Sequence, residues 1–378
     1  MRHKIFKMKN ALLFSLIILF SSCFQTKTEE PALEEIPLKY ASHIKIFKGK
    51  DFYTVKIRNP WDTLKILHSY IITDKNNENR FENFKNFTII KTPIENALIF
   101  TSLHASLVKN LGCKKSISSL CDVQYVLDKE LLSDVKNGKI KDLGSSMTPD
   151  VEKIILQNPE IIMLSPYQTS GNFGTLGKTK IPLIECADYM ENSPLAQAEW
   201  IKFYGLIFNK LNTADSIFSE VEKNYLSLKE LVKNTIQKPK LLPNSLIGGL
   251  WYIPSEKSTA GRFYIDAGFD YPFNYLDGFG TVPLNFETVF EKAHDADVWI
   301  VKYNREEDYT VKTFSAENAN YQKFKAFKNG NVYVCNTSKI PYYDQTPFFP
   351  DLLLKDLIKI SRPELFEDYN LMYFKKLE

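Results

Sequence analysis

The sequence predicts an α/β protein of two Rossmann-like lobes with parallel sheets, joined by one long helix and preceded by a small N-terminal β-extension. Three observations predict this fold. Strands alternate with helices before and after residues 213–235, that segment has one continuous helical period, and each half of the chain contains a similar helix–strand unit. Strand–helix alternation favours parallel sheets with right-handed crossovers. Two lobes around one helix leave a cleft between them, and small ligands bind in such clefts.

Residues 1–22 have the pattern of a secretory signal peptide. Four basic residues and no acid precede the apolar stretch Ala11–Phe20, which is shorter than the roughly 20 residues of a membrane span. Small residues then precede Cys23 and resemble a bacterial lipobox, although Phe20 departs from the commoner Leu. We expect a lipid on Cys23 that anchors the chain to a membrane, with residues 23–42 as a tether. An ordinary cleaved signal with a chance cysteine is the alternative.

Charge and cysteine spacing exclude two classes of function. Removing residues 1–22 takes four positive charges from a net charge of +3 and leaves −1. The rest of the chain has no Lys/Arg cluster with interleaved aromatic residues, so we expect no nucleic-acid partner. Cysteines 113, 121, 186 and 335 match no zinc-site spacing. A disulfide and buried free thiols both remain open for them.

The first folded segment, residues 43–92, is predicted as the β-extension. His43–Lys48 and Asp51–Arg58 alternate in polarity around Gly49-Lys50, which indicates a hairpin. Leu64–Thr73 is predicted as a third strand, and the polar stretch Asp74–Asn86 as a loop.

Residues 93–212 are predicted as the N-terminal lobe. Short apolar runs bounded by polar residues predict strands, and apolar residues at helical spacing predict helices. The predicted strands are Ala97–Thr101, Ser116–Cys121, Ile161–Leu164 and Leu183–Cys186, and the predicted helices are Leu103–Leu111, Asp150–Gln157 and Pro194–Phe208.

Residues 213–235 are predicted as the connecting helix. Thr213 is a suitable N-cap, and apolar residues recur at helical spacing along one face, namely Ile217, Val221, Tyr225, Leu228 and Leu231. A helix of this length is on the order of 30 Å long, which is enough to bridge two lobes. A surface helix of a single domain is the alternative.

Residues 236–378 are predicted as the C-terminal lobe. The predicted strands are Ser245–Ile253 with a Gly-Gly kink, Val298–Lys302 and Val332–Cys335, and the predicted helices are Ala260–Gly268, Phe286–Lys292 and Pro350–Ile360. Pro363 marks the end of the last helix.

Two segments of the chain repeat one design. PDVEKIILQNPEIIMLSP (149–166) and PLNFETVFEKAHDADVWIVKY (283–303) each have a Pro, a Glu in the first helical turn, an apolar helix face and an apolar strand. With FKAFKNGNVYVCN (324–336) and PDLLLKDLIKISRPELF (350–366), they resemble the Fe-siderophore/haem/cobalamin class of periplasmic solute-binding proteins. The resemblance covers about residues 93–366.

Two features of the chain depart from that class. The terminal helix runs into Arg362-Pro363-Glu364 where the class commonly has His-Pro-Glu, a difference that does not touch the cleft. The β-extension is outside the family core and suits lipoprotein members from Bacteroidetes-like bacteria.

The resemblance implies a binding protein without catalytic activity or a cofactor of its own. It would capture an iron-siderophore, haem or cobalamin-type ligand and deliver it to the permease dimer of an ABC importer. One exposed carboxylate on each lobe would dock on permease arginines, and the repeated motif places Glu152 and Glu287 in these roles. Both lie in the first turn of a predicted helix, where the helix dipole favours an anion. Ordinary first-turn acids are the alternative.

Ligand contacts are expected from loops at the carboxyl ends of strands. The candidates are Ser102, His104, Tyr167, Trp251, Tyr252, Tyr303 and Tyr343, the last within the loop Ser338 to Tyr343. Arg262, at a helix start in the second lobe, would suit an anionic ligand. Aromatic planes suit a macrocycle, and His104 with a tyrosine could ligate haem iron. Each of these side chains could instead be structural.

Two other functions are weighed against importer delivery. GNFGTLGKT (171–179) has one residue too many between its glycines for a phosphate-binding loop, and neither H-E-x-x-H nor G-x-S-x-G occurs. An exported hydrolase would need dispersed catalytic residues. A surface-exposed lipoprotein that hands solute to an outer-membrane receptor would keep the same fold. The expected location is therefore the periplasm or the cell surface.

Overall fold

The computed structural model describes residues 33–77, 81, 84, 86–168 and 173–378. The predicted signal peptide, Cys23 and tether residues 24–32 lie outside this part of the chain, as do residues 171 and 172 of the glycine-containing loop. Residues Glu35–Glu378 form one compact unit. None of the helices in the described ranges is long and apolar enough to cross a membrane.

The β-extension is a five-stranded sheet in the order β1-β2-β3-β4-β5. Its strands are β1 (Glu34–Ile36), β2 (Ile44–Lys48), β3 (Phe52–Arg58), β4 (Ile66–Asp74) and β5 (Thr88–Thr92). The predicted hairpin is confirmed, because β2 and β3 pair antiparallel with Ile44 opposite Ile57. β5 was not predicted; it pairs parallel to β4.

The N-terminal lobe contains a parallel sheet in the order β10-β9-β6-β7-β8. Its strands are β6 (Ala97–Ile99), β7 (Ile117–Leu120), β8 (Lys141–Asp142), β9 (Ile161–Leu164) and β10 (Leu183–Glu185). Its helices are α1 (Ser102–Asn110), α2 (Lys129–Lys136), α3 (Val151–Gln157), α4 (Pro194–Glu199) and α5 (Ile201–Ile207). The single helix predicted for Pro194–Phe208 is wrong: two helices meet at Trp200, which caps the first and is fully buried.

The connecting helix α6 (Leu211–Val232) is continuous over 22 residues, which corresponds to a length of roughly 33 Å. It begins two residues before the predicted N-cap Thr213. Val221 and Tyr225 are buried as predicted. Val232 is buried instead of the exposed Leu231, and Phe218 is buried beside the half-buried Ile217. The apolar face is therefore rotated relative to the predicted face at both ends.

The C-terminal lobe contains two sheets, in the orders β11-β15-β16-β17 and β12-β13-β14. The strands are β11 (Leu241–Pro243), β12 (Leu246–Ile247), β13 (Leu250–Pro254), β14 (Thr281–Leu284), β15 (Val298–Tyr303), β16 (Val332–Asn336) and β17 (Lys375–Lys376). β11, β15 and β16 are parallel, and β17 is antiparallel to β16. The kinked strand predicted for Ser245–Ile253 is wrong, because Gly248 and Gly249 have φ of 60° and 83° and close a hairpin.

The helices of the second lobe are α7 (Thr259–Asp266), α8 (Phe286–Ala293), α9 (Val311–Glu317), α10 (Lys325–Lys328), α11 (Tyr342–Gln345) and α12 (Pro350–Ser361). α12 packs against α6, so the connecting helix contributes to the second lobe's core as well as to the first. The predicted end of the last helix before Pro363 is confirmed. Short 3₁₀ turns occupy several connections, including Pro363–Phe366.

The core is rich in aromatic side chains. Trp251 and Trp299 stack with ring centroids 5.7 Å apart, and both are fully buried. Trp251 Nε1 donates to the Pro243 carbonyl at 2.8 Å, which satisfies its polar atom inside the core. The four cysteines at 113, 121, 186 and 335 are buried free thiols, so the disulfide alternative does not hold in this structure.

A short segment before β2, residues 39–43, lies across two buried carboxylates of the N-terminal lobe. Glu199 accepts the backbone N–H groups of residues 39, 40 and 41 at 2.8–3.0 Å. Glu191 accepts those of Ser42 and His43, at 2.9 and 2.8 Å, and the indole N–H of Trp200 at 3.0 Å. The two carboxylates are 1% and 3% exposed, and donors from the extension compensate for their burial.

Candidate solute-binding site

The candidate site is a cavity of about 360 Å³ where strand ends of the two lobes meet, called here the front cavity. The N-terminal lobe lines it with residues 100–102, 122, 124, 125 and 127, and the C-terminal lobe with residues 304, 337, 338, 340, 341, 343 and 344. These positions follow β6, β7, β15 and β16. Ligands of open α/β sheets bind at this carboxyl edge, so the sheet topology of both lobes creates the site.

One hydrogen bond crosses the front cavity between the lobes. Ser102, the first residue of α1, donates from Oγ to Asp344 Oδ1 at 2.5 Å. Asp344 lies on the short helix α11 and is only 9% exposed. Burial raises the pKa of its carboxyl above the usual value, and the Ser102 hydrogen bond opposes that shift. The cavity wall therefore contains a partly desolvated carboxyl that touches both lobes.

A buried polar network supports the cavity from below. Thr101 lines the cavity, caps α1 and contacts His104 Nδ1 at 2.6 Å. His104 Nε2 lies 3.0 Å from Asp188 Oδ1, which also accepts from the Tyr204 hydroxyl at 2.7 Å. Burial by itself lowers the pKa of His104, but the side chains of Cys186 and Asp188 outweigh it and raise that pKa to about 10. The pKa of Asp188 is lowered, with burial opposing the shift and His104 driving it.

His104 is therefore not on the cavity wall, in contrast to its expected position as a ligand contact. It is 2% exposed and both ring nitrogens have protein partners. His104 lies in the first turn of α1 with its ring in the core. It can therefore position Thr101 but cannot contact a solute in the cavity.

Asp122 is the second acidic side chain of the front cavity. It follows β7 with φ of 50°, in the left-handed region that Asp tolerates better than most residues. Its carboxylate accepts from the Ser146 backbone N–H at 3.2 Å and from the Ser146 hydroxyl. These neutral donors hold the carboxylate at the cavity without supplying a positive charge.

The structure brings only two of the predicted ligand residues, Ser102 and Tyr343, to the front cavity. Trp251 and Tyr303 are core residues: Trp251 alternates inward along β13, and the Tyr303 hydroxyl accepts from the Tyr309 N–H at 3.0 Å. Tyr252 points to the opposite face of the strand and is exposed. Tyr167 is also exposed and is not among the described residues of the cavity wall.

Arg262 lies in a different cavity of about 380 Å³, called here the rear cavity. Residues 40, 42, 191–196, 225, 226, 229, 262 and 266 line it, beside the connecting helix. Lys229 there forms an ion pair with Asp266 at 2.7 Å, and Asp266 also accepts from Tyr225 at 2.9 Å. The expectation that Arg262 meets the cleft ligand is therefore not supported by its position.

Sequence reasoning missed most of the front cavity wall, including Asp122, Gln124, Tyr125, Asn304, Thr337 and Asp344. A signal for five of them was present, since Thr337 follows the predicted strand Val332–Cys335. Asp122, Gln124 and Tyr125 follow a predicted strand, and Asn304 follows another. No comparable signal marks Asp344, whose inward orientation depends on the single turn of α11.

Glu152 and Glu287 occupy matching places on the two lobes. Each is exposed in the first turn of its helix, α3 or α8, after an N-cap side chain that bonds the helix backbone. The N-caps are Asp150 and Asn285. The duplicated geometry agrees with the predicted motif, while the docking role itself stays a prediction.

No group of three or more potential metal-ligating side chains lies within the described ranges. The front cavity offers hydrogen-bonding groups, aromatic rings and two carboxyl groups, an arrangement suited to holding a whole solute.

Residues 114–338 match the family described as periplasmic binding protein. The chain belongs to this family. It is 31% identical over 303 residues to an uncharacterized lipoprotein of Methanocaldococcus jannaschii, with 77% of this chain and 70% of the relative covered. As a periplasmic binding protein it is a solute-binding protein, a class that acts outside the cytoplasm and whose members are not enzymes.

Solved structures share the fold of this periplasmic binding protein. A TroA-like periplasmic binding protein of Veillonella parvula aligns with a TM-score of 0.59 and 16% identity, covering 76% of this chain and 96% of its own. An ABC-type Fe3+-hydroxamate transport system protein of Saccharomonospora viridis aligns with a TM-score of 0.56 and 17% identity, covering 71% of this chain and 94% of its own. The predicted two-lobed α/β fold is confirmed.

Proposed function

We propose that this protein captures a metal chelate of the iron-siderophore, haem or cobalamin type in the front cavity and delivers it to the permease dimer of an ABC importer. The observation that carries the proposal is the cavity itself: strand ends of both lobes line it, and Ser102 and Asp344 join the lobes across it. Its volume of about 360 Å³ is within the usual range for small-molecule sites. One structural neighbour is an ABC-type Fe3+-hydroxamate transport protein, which supports the same ligand class.

The proposal includes a lipid anchor on Cys23, so that the protein works at a membrane surface. The pattern of residues 1–23 and the lipoprotein name of the Methanocaldococcus relative support it. Labelling the native host with a radioactive fatty acid measures the anchor directly. We expect label on the parent chain and none on the Cys23→Ser variant.

Docking on the permease is proposed for Glu152 and Glu287, one on each lobe. Two exposed carboxylates in matching helix turns would orient the protein on a basic partner and speed its encounter, with a smaller effect on affinity. The test is uptake of a radiolabelled ferric chelate by the native host carrying the double variant Glu152→Arg/Glu287→Arg.

We expect uptake to fall at least about tenfold in this double variant, while solute binding by the purified protein is unchanged. Glu291→Arg is the matched control, since it makes the same charge change on α8 at an exposed position. Normal uptake by the double variant would remove the docking role, and loss of uptake in the control would do the same.

A further inference from the structure

The charged side chains of the front cavity are all of one sign. Asp122 and Asp344 line it, and none of its described wall residues is Lys, Arg or His. A solute in this cavity therefore meets carboxyl groups and uncharged donors or acceptors.

The basic residues next to the cavity are engaged elsewhere. Arg305 follows the wall residue Asn304, and its guanidinium forms an ion pair with Glu317. Lys339 follows the wall residue Ser338, and its Nζ lies 3.2 Å from Asp308 Oδ1. Both side chains are adjacent in sequence to the wall, yet acids on the C-terminal lobe hold them away from it.

Neither acid of the cavity has a cationic partner within the described part of the chain. Asp344 accepts from the Ser102 hydroxyl, and Asp122 accepts from Ser146 and, at 3.4 Å, from Gln124. Asp128 and Asp134 of the same lobe, by contrast, pair with lysines. A desolvated carboxylate without a cation is costly in a folded protein, and such a group on the wall of a cleft is a candidate contact for a ligand of opposite charge.

Aromatic rings accompany the two acids. Tyr125 from the N-terminal lobe and Tyr343 from the C-terminal lobe line the cavity and are 61% and 58% exposed. The face of a tyrosine ring attracts cations, so the rings reinforce the preference of the carboxyl groups.

We propose that the solute bound in the front cavity carries a positive charge, as an ammonium group or as a metal chelate of net positive charge, held by Asp122 and Asp344 and faced by Tyr125 and Tyr343. The inference rests on the proposed function and narrows it. Anionic chelates, such as a ferric tricatecholate, are disfavoured because they would meet two like charges and no cation.

The first test uses two ferric trihydroxamates that differ in one charge. Ferrioxamine B has a free ammonium group, and its N-acetylated derivative lacks that charge. Binding of each, and of an anionic ferric tricatecholate, is measured by quenching of intrinsic tryptophan fluorescence. We expect ferrioxamine B to bind at least about tenfold more tightly than the acetylated form, and the tricatecholate to bind weakest.

The double variant Asp122→Asn/Asp344→Asn keeps the size of both side chains and one acceptor oxygen on each while removing their charge. We expect it to reduce the preference for ferrioxamine B over its acetylated form at least about fivefold, with the single variants intermediate. Arg262→Gln, in the rear cavity, is the control and should leave the preference unchanged. Equal binding of the matched pair, or preference for the tricatecholate, overturns the inference.

The second test needs no ligand. Gln124→Cys places a thiol on the wall of the front cavity. The cysteines at 113, 121, 186 and 335 are buried, so they should react slowly with added reagents. The rates of the introduced thiol are compared for a trimethylammonium and a sulfonate methanethiosulfonate reagent, with the parent chain as background and a free thiol as reference. We expect a cation-to-anion rate ratio about tenfold above the reference, falling towards it in the double variant.

The two tests separate the inference from the proposed function. If none of the three ferric complexes binds, the iron-siderophore form of the proposed function fails, while the thiol rate ratio still decides the charge that the cavity selects. A ratio at or below the free-thiol value overturns the inference even when a ferric complex binds.

Discussion

The front and rear cavities are similar in volume, but the rear cavity has two basic side chains on its wall and the described wall of the front cavity has none. The rear cavity contains Arg262 and Lys229, and its acids are engaged within the protein, Asp266 by Lys229 and Glu191 by backbone and indole N–H groups. The front cavity contains acids whose described partners are neutral. The comparison teaches that cavity volume does not distinguish the two, whereas the charge of the wall residues does.

The same comparison separates side-chain charges that stabilise the fold from side-chain charges that are available to a solute. The paired acids of the rear cavity and the network beneath the front cavity hold elements together, so removing them should cost stability. Charges on the front wall should cost little or no stability when removed, because their burial opposes folding. Four substitutions test this division, from the largest expected effect to the smallest.

His104→Asn should have the largest effect, because it leaves Asp188 buried without its partner. We expect a loss of about 3–5 kcal/mol in the free energy of unfolding, measured by urea titration. The pKa of His104 is raised to about 10, so its contribution is fully present below the unfolded value of about 6.5 and is lost as pH rises towards 10. The difference between parent and variant should therefore shrink between pH 6.5 and 10; a constant difference would contradict a charged His104.

Glu191→Ala should be next, with a loss of about 3 kcal/mol. The substitution leaves the N–H groups of Ser42, His43 and Trp200 without their acceptor, and each buried unsatisfied donor costs about 1–3 kcal/mol. Glu291→Ala, at an exposed position, is the control and should change stability by less than about 0.5 kcal/mol. If the two variants unfold at the same urea concentration, the acids of the rear cavity are not structural.

Asp344→Asn should have a smaller effect of opposite sign, a gain of up to about 1 kcal/mol at pH 7. Burial raises the pKa of this carboxyl, so the folded state is penalised once pH rises above the unfolded value of about 3.9. The amide retains an acceptor for Ser102 and carries no charge. The gain should therefore appear on going from pH 4 to pH 7 in thermal unfolding. A loss of stability at pH 7 would assign Asp344 to the structural class.

Arg262→Gln should have the smallest effect, below about 0.5 kcal/mol. Its side chain is exposed, and its backbone N–H, which bonds the Ser258 carbonyl at 2.9 Å, is unaffected. Calorimetric unfolding and ferrioxamine B titration should both match the parent. A large loss of binding would move the solute site to the rear cavity and reverse the comparison.

Periodicity made the fold predictable. Buried strands such as Ile161–Leu164 and amphipathic helices such as Phe286–Ala293 have patterns that hydrophobic burial imposes over several residues, and their bounds were predicted to within a residue. The start of α6 was less predictable, because Lys210 at its N-cap has no side-chain capping bond to mark the position.

The site was less predictable because it depends on single side-chain directions in irregular segments. The ends of the predicted strands gave the correct edge of each sheet, but Trp251 and Tyr303 are buried in the core. Asn304, the residue after Tyr303, lines the cavity instead. The chemistry of His104 predicts a ligand contact, but hydrogen bonds to Thr101 and Asp188 occupy both of its ring nitrogens. Charge compensation of this kind involves residues far apart in the chain and leaves no local pattern.

The path of residues 39–43 across Glu191 and Glu199 has a consequence for any attempt to trim the protein to its family core. A chain that starts at residue 93 would strip five backbone donors from two carboxylates that are 3% and 1% exposed. Shortened versions would then be expected to aggregate even though every strand of both lobes is retained. The extension is thus an integral part of the first lobe, and expression or domain-swapping designs need to begin before Lys39.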